Sequence, residues 1–238
     1  MFADAGYTSV NWNLGCPYPM VTKRMQGAGL LPHPQRIVAI LEAAFPRIAV
    51  NLSIKTRLGL NSPAELQALL PGLAPFNINE IIIHGRTAAQ MYDGEVLTGA
   101  MQAVLPYCTA PVVVNGDITT LAAFEKMQAA FPDVSRFMIG RGLLCDPFLT
   151  QRIRMTALPS DDVRRQRLRD FHDELFEDYQ DRLSGDAHLL QKMIPHWVYF
   201  AEWFEGSVQG AVHFRKVKSV AQYRAMVMHL FDSFNLRV

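Results

Sequence analysis

Residues 80–87 read Glu80-Ile81-Ile82-Ile83-His84-Gly85-Arg86-Thr87, in which Glu80–His84 is a short, mostly apolar run expected as a strand and ends in a polar, glycine-containing turn. The pattern recurs on both sides of it. Thr8–Leu14 leads into Asn13-Leu14-Gly15-Cys16-Pro17, and Ala49–Lys55 into Lys55-Thr56-Arg57-Leu58-Gly59. Pro111–Asn115 leads into Asn115-Gly116-Asp117-Ile118, and Arg136–Ile139 into Gly140-Arg141-Gly142. Each run is short and mostly apolar, as expected of a parallel strand buried on both faces. Between them lie expected helices at Pro34–Ala44, Ser62–Leu70, Ala100–Leu105 and Leu121–Ala130, the last preceded by Thr119-Thr120 as candidate caps. Such strand–helix repeats make either a (β/α) barrel or a doubly wound sheet. A barrel builds its active site from the loops at the carboxyl ends of all its strands, whereas a doubly wound sheet needs polar endings only at its switch point. Every strand here has one, so a barrel is expected. Five strands are legible where a closed barrel takes eight. The expected fold is therefore an incomplete TIM-type (β/α) barrel, with the closing units upstream of Thr8.

Beyond residue 150 the periodicity is wholly helical. Arg164–Leu183 places Leu168, Phe171, Leu175, Phe176 and Tyr179 at spacings of three and four. Gly185-Asp186 breaks that helix, and Ala187–Trp203 and Val220–Phe231 follow as further helices. The organisation expected is residues 1–150 as a partial catalytic barrel and 151–238 as an all-α domain, joined through Ala157-Leu158-Pro159-Ser160.

Composition narrows the class. Half of the residues are hydrophobic and 19% are charged, the balance of a globular protein. No apolar run is long enough for a membrane span, and Met1–Gly6 does not read as a signal peptide. The three cysteines, Cys16, Cys108 and Cys145, are odd in number and far apart, which suggests neither a disulfide framework nor a zinc site. A cytoplasmic location is expected, with no metal and no obligatory protein partner. Net charge is +1 and gives no global argument for a polyanionic partner. Residues 1–150 carry ten basic and ten acidic side chains. From Arg182 onward seven basic face four acidic, a mild local bias.

The strand-end turns carry the chemistry. Cys16 lies in a tight turn between Gly15, which permits unusual backbone angles, and Pro17, which stiffens the exit. Lone cysteines usually fill cores; a place on the rim makes this one a candidate catalyst. Lys55 and Arg57 alternate along a strand end and so point the same way. A lysine at a barrel mouth is costly without an anionic or electron-rich partner. That partner is a flavin's pyrimidine edge, a carboxylate or a substrate carbonyl forming a Schiff base. His84 is a structural histidine or a ligand contact. Asn115-Gly116-Asp117 and Gly140-Arg141-Gly142, if they end the last two barrel strands, lie where barrels hold a phosphate.

Together these signatures resemble the tRNA-dihydrouridine synthase family. Its N-x-G-C-P, V and G-A-x-L-L pattern is matched by Asn13, Gly15, Cys16, Pro17, Val21, Gly27, Ala28, Leu30 and Leu31. K-x-R-x-G is matched at Lys55, Arg57 and Gly59, and H-G-R-T-x-x-Q-x-Y-x-G runs in full from His84 to Gly94. N-G-D-I and M-I-G-R-G follow at Asn115–Ile118 and Met138–Gly142. One departure stands out: after Gly94 the family continues with a small residue and Asp-Trp, and here Glu95-Val96-Leu97-Thr98 follows. The resemblance implies FMN in the barrel, NADPH as reductant and a flipped-out tRNA uridine as substrate. It makes Cys16 the proton donor and puts Lys55 and His84 against flavin or uracil. Asn115, Gly116, Asp117, Gly140 and Arg141 would be cofactor contacts. Asn13, Arg57, Arg86 and Gln90 would line the site or meet RNA, while Lys192, Arg215, Lys216 and Lys218 would neutralise tRNA phosphates. Two other readings are kept: a barrel lyase using a Lys55 Schiff base, and a non-catalytic RNA-binding remnant.

Overall fold

The structure, a computed structural model, describes residues 2–206 and 213–237. Five strands form one sheet: β1 (Ser9–Leu14), β2 (Asn51–Gly59), β3 (Glu80–Thr87), β4 (Val112–Asn115) and β5 (Arg136–Met138). They lie in chain order and every neighbouring pair is parallel. With right-handed crossovers, an order that never reverses puts all connecting helices on one face. This is the arrangement of an incomplete TIM barrel, here followed by a helical region.

The register separates the two faces. Trp12, Ile54, Ile81 and Val112 form one row across the sheet, and Leu14, Thr56, Ile83, Val114 and Phe137 the next. These rows pack under α2 (Pro34–Ala44), α3 (Ala64–Leu73) and α4 (Thr98–Val104) through Ile37, Leu41, Leu66, Leu69, Leu70, Met101 and Val104. The opposite face carries Asn13, Lys55, Ile82, Val113 and Arg136 in one row, then Arg57, His84, Asn115 and Met138. The expectation of strands apolar on both faces therefore holds for one face only. The other is polar because it bears the rim motifs. Both β2 and β3 also run beyond their expected ends, since Arg57 pairs with His84 and Gly59 with Thr87 across an irregular register. Ladder bonds come from backbone, so the charged residues do not end the strands.

Two compact units divide the chain: Met1–Asp117 with Glu125–Ile139, and Ile118–Phe124 with Gly140–Val238. Residues 140–150 fall in the second of these units. Gly142 packs directly on the Ile118 carbonyl, and Trp203 Nε1 donates to Leu144 O at 2.8 Å, which ties residues 140–150 to the helical unit. α5 (Leu121–Ala130) is capped by Thr120, whose Oγ1 accepts from Ala123 N at 3.1 Å.

After Gly140 the second unit contains α6 (Arg141–Cys145), α7 (Leu149–Ile153), α8 (Asp161–Arg182), α9 (Asp186–Met193), α10 (Trp197–Phe200) and α11 (Val220–Ser233). The single helix expected over Ala187–Trp203 is split by a 3-10 turn at Ile194–His196, where Pro195 lacks the N–H that a continuous helix requires. Its core is aromatic: Trp197 stacks on Phe214 with ring centroids 4.0 Å apart, and Phe200 on Trp203 at 4.3 Å. Among the described residues no helix is long and apolar enough to cross a membrane.

Candidate active site

Cys16 lies two residues beyond the end of β1. Asn13 Oδ1 accepts from Gly15 N at 2.9 Å, an Asx turn that swings the chain off the strand. Gly27 then backs onto the cysteine at φ +53°. A Cβ there would lie 2.8 Å from Cys16 Cβ and 2.9 Å from its carbonyl oxygen. Ala28 N donates to that oxygen at 3.1 Å. Two motifs separated in sequence are thus one local structure, the second holding the first, and the Cys16 side chain stays partly exposed.

Arg57 ties this turn to the loop after β3. Its Nε donates to Gly15 O at 3.1 Å, its Nη1 donates to Thr87 O at 2.8 Å, and its guanidinium lies 5.2 Å from the centre of the Tyr92 ring. Arg86 is equally committed. It grips both carboxylate oxygens of Asp117, and its Nε donates to the carbonyls of Asp93 and Gly94. Gln90 Oε1 accepts from Thr87 N at 2.9 Å, and its Nε2 donates to Glu95 O at 3.3 Å. All three side chains hold the rim loops in place.

Lys55 and His84 differ from them. Lys55 is half-buried beside Arg57 and makes no ion pair with a described residue. Burial first, and the Arg57 cation second, push its pKa down. His84 is 7% exposed, and its buried Nδ1 has no hydrogen-bond partner. Burial, then the charges of Arg57, Lys55 and Arg86, lower its pKa to about 3, so the ring is neutral. The Tyr92 ring stands edge-on to it, centroids 6.4 Å apart. Sequence reading passed over Tyr92; its place as the aromatic of the His84–Gly94 stretch was the signal.

The β4 turn is built tightly. Asn115 Nδ2 donates to Met138 O at 2.7 Å, tying β4 to β5. Gly116 has φ +151°, and a Cβ there would meet Val96 at 3.0 Å. Val96, from the segment that departs from the family pattern, also covers Gly85, and Leu97 N donates to Gly85 O at 2.7 Å. Asp117 turns at φ +44°, its carboxylate occupied by Arg86. The register therefore brings Asn13 beside Lys55, Arg57 beside His84, and His84 beside Asn115, with the Cys16 turn tied in through Arg57. Gly140 and Arg141 open the second unit, Gly140 as the N-cap of α6, and Lys192 and Arg215 are exposed within it.

A thiol just past β1, a half-buried cation on β2 with no ion-pair partner among the described residues, and a neutral histidine on β3 with a spare nitrogen lie on consecutive parallel strands. They form a candidate ligand site, whose chemistry suits an electron-rich or anionic group. The chain belongs to the dihydrouridine synthase family, whose model matches residues 1–231. It is similar to a probable tRNA-dihydrouridine synthase of Rhodobacter capsulatus, 31% identical over 186 residues, covering 76% of this chain and 56% of that protein. It is also similar to tRNA-dihydrouridine synthase B of Vibrio parahaemolyticus, 31% identical over 170 residues, 68% of this chain and 52% of that protein. The tRNA-dihydrouridine(16) synthase of Cupriavidus necator is 35% identical over 157 residues, 64% of this chain and 48% of that protein. The chain spans about half the length of these relatives.

Proposed function

We propose that this chain carries the catalytic rim of an oxidoreductase that reduces a tRNA uridine to 5,6-dihydrouridine, using FMN with NADPH as reductant, in the cytoplasm. One observation carries the reading: among the described residues, half-buried Lys55 has no ion-pair partner and buried His84 has an Nδ1 with no hydrogen-bond partner, and Arg57 links their strands to the turn that carries Cys16. The Lys55 ammonium and the spare nitrogen of His84 match the carbonyl-rich pyrimidine edge of a flavin. Held there by Lys55 and His84, FMN would supply the hydride chemistry for reduction of the uracil. Cys16 acts as general acid: its S–H bond breaks as the proton passes to C5, and water returns a proton to the thiolate. The uracil must leave its stack to reach the rim. Asn13 lines the site, while Arg57, Arg86 and Gln90 keep the rim loops in register with it.

The phosphate end of the cofactor is assigned to Asn115, Gly116, Asp117, Gly140 and Arg141. Asp117, neutralised by Arg86, would contribute its backbone rather than its charge. Residues 151–238 are assigned to tRNA binding, with Lys192, Arg215, Lys216 and Lys218 neutralising phosphates. The test is an assay of the chain with FMN, NADPH and tRNA lacking dihydrouridine. Product formation and a visible flavin spectrum are expected, and Cys16→Ala should keep the spectrum and lose the product. Undiminished product in that variant removes Cys16 from the mechanism. Retention of tRNA without flavin absorbance would favour the RNA-binding remnant.

A further inference from the structure

The first unit has a second basic region, one that contributes nothing to the rim just described. Between Asp4 and Glu42 the sequence contains no Asp or Glu, yet it contains Lys23, Arg24 and Arg36. Arg24 and Arg36 line one cleft of about 400 Å³ with Trp12, Met25 and Gln26. Both arginines are exposed, and neither forms an ion pair with a described residue. They contrast with Arg57 and Arg86, whose donors are spent on protein oxygens. Arg36 Nη1 instead donates to Met25 Sδ at 2.9 Å, a weak acceptor.

Arg36 is also placed against the local field. It sits in the first turn of α2, an 11-residue helix with no acidic residue in that turn and no side-chain cap. A helix N-terminus is partially positive, so a cation there is unfavourable unless an anion joins both. Apolar and aromatic side chains occur in the same stretch of chain as these charges. Trp12 is half-buried in the cleft wall, and Tyr18 and Met20, on the short helix α1 (Pro19–Thr22) and its approach, are 50% and 76% exposed. Unneutralised arginines beside a partly exposed indole offer what a flexible nucleic-acid strand requires: charge for phosphates and a flat face for a base. A second copy of this chain would bring the same sign of charge and be repelled.

We propose that this cleft is an RNA-docking groove, with Arg24 and Arg36 taking phosphates of the strand that flanks the base presented to Cys16. The inference rests on the tRNA reading above and adds to it a contact separate from the helical unit. Because the groove is formed by the chain leaving Cys16, strand and thiol would be positioned by one segment.

The test is the salt dependence of tRNA binding by the full chain, measured by fluorescence anisotropy. Removing one cation that neutralises a phosphate should reduce the slope of log K against log salt by about 0.7–0.9, so Arg24→Gln/Arg36→Gln should lower it by about 1.4–1.8. Lys126→Gln, which removes an exposed charge on α5, should leave it unchanged. If the double variant does not fold, each single variant should give half the change. A slope equal to wild type in the double variant overturns the groove and leaves the tRNA reading standing. If the wild-type chain has no salt-dependent affinity for tRNA, the substrate reading fails and the groove fails with it.

Discussion

Two buried histidines, one in each unit, are handled in opposite ways. In α8, His172 Nδ1 lies 2.8 Å from Asp173 Oδ1 and Nε2 lies 2.8 Å from Tyr223 Oη, which is also 2.8 Å from Trp197 Nε1. An indole nitrogen can only donate, so Tyr223 accepts from Trp197 and gives its own proton to His172 Nε2. Nδ1–H is left for Asp173. Every group in that chain is satisfied with His172 neutral, the direction in which burial moves it. His84 is also neutral through burial, but its Nδ1 has no partner and its neighbours are cations. The helical unit spends its buried polar chemistry on itself. The barrel rim leaves some unspent, and unspent capacity in a buried place marks where a ligand belongs.

The contrast predicts that rim substitutions change chemistry and helical-core substitutions change stability. The largest effect is expected at Cys16. Its replacement by Ala should lower dihydrouridine formation by roughly 10²- to 10⁴-fold, the usual contribution of a positioned acid, while the unfolding midpoint stays near wild type. A matching loss of stability would make Cys16 a packing residue instead. Next comes Trp197, fully buried and stacked on Phe214. Trp197→Ala should cost about 3–5 kcal/mol in urea unfolding. Tyr223→Phe removes one oxygen and strands two partners, Trp197 Nε1 and His172 Nε2, for about 2–3 kcal/mol. An unchanged midpoint in Tyr223→Phe would mean that the chain of hydrogen bonds contributes nothing, and the two histidines would no longer differ in kind.

Much of the rim was legible because its chemistry is local. The Cys16 turn, Lys55 and His84 each sit in a short glycine-containing run at the end of an apolar segment, and the order of those runs is the order of the strands. Hydrogen bonds that span the fold were not legible. Arg57 reads as a free cation, and only the folded chain brings Thr87 O, 30 residues away, to its Nη1. The same distance in sequence hid the pairing of Arg86 with Asp117. The ends of β2 and β3 were set too short because Lys55, Arg57 and Arg86 interrupt the apolar pattern without interrupting the backbone ladder. Pro195 could have revealed the break in the helix expected over Ala187–Trp203. The assignment of Ile118–Phe124 to the helical unit depends on the packing of Gly142 against Ile118, which no periodicity encodes.

The smallest expected effect tests the histidine comparison directly through pH. The folded pKa of His84, about 3, lies below its ordinary value of 6.5, so the unfolded chain binds the proton more readily. Its contribution to stability is then complete above pH 6.5 and is lost as pH falls toward 3. By pH 5 the loss amounts to about 2 kcal/mol. His84→Gln should remove that part of the slope of unfolding free energy between about pH 8 and 5, a window above the range in which carboxylates titrate. His172 is shifted in the same direction by burial, but Asp173 opposes the shift, so His172→Gln should flatten the same profile less. If the two variants flatten it equally, the cations around His84 have no more influence on its proton than the hydrogen bonds have on that of His172. The rim would then have lost the electrostatic character that distinguishes it from the helical core.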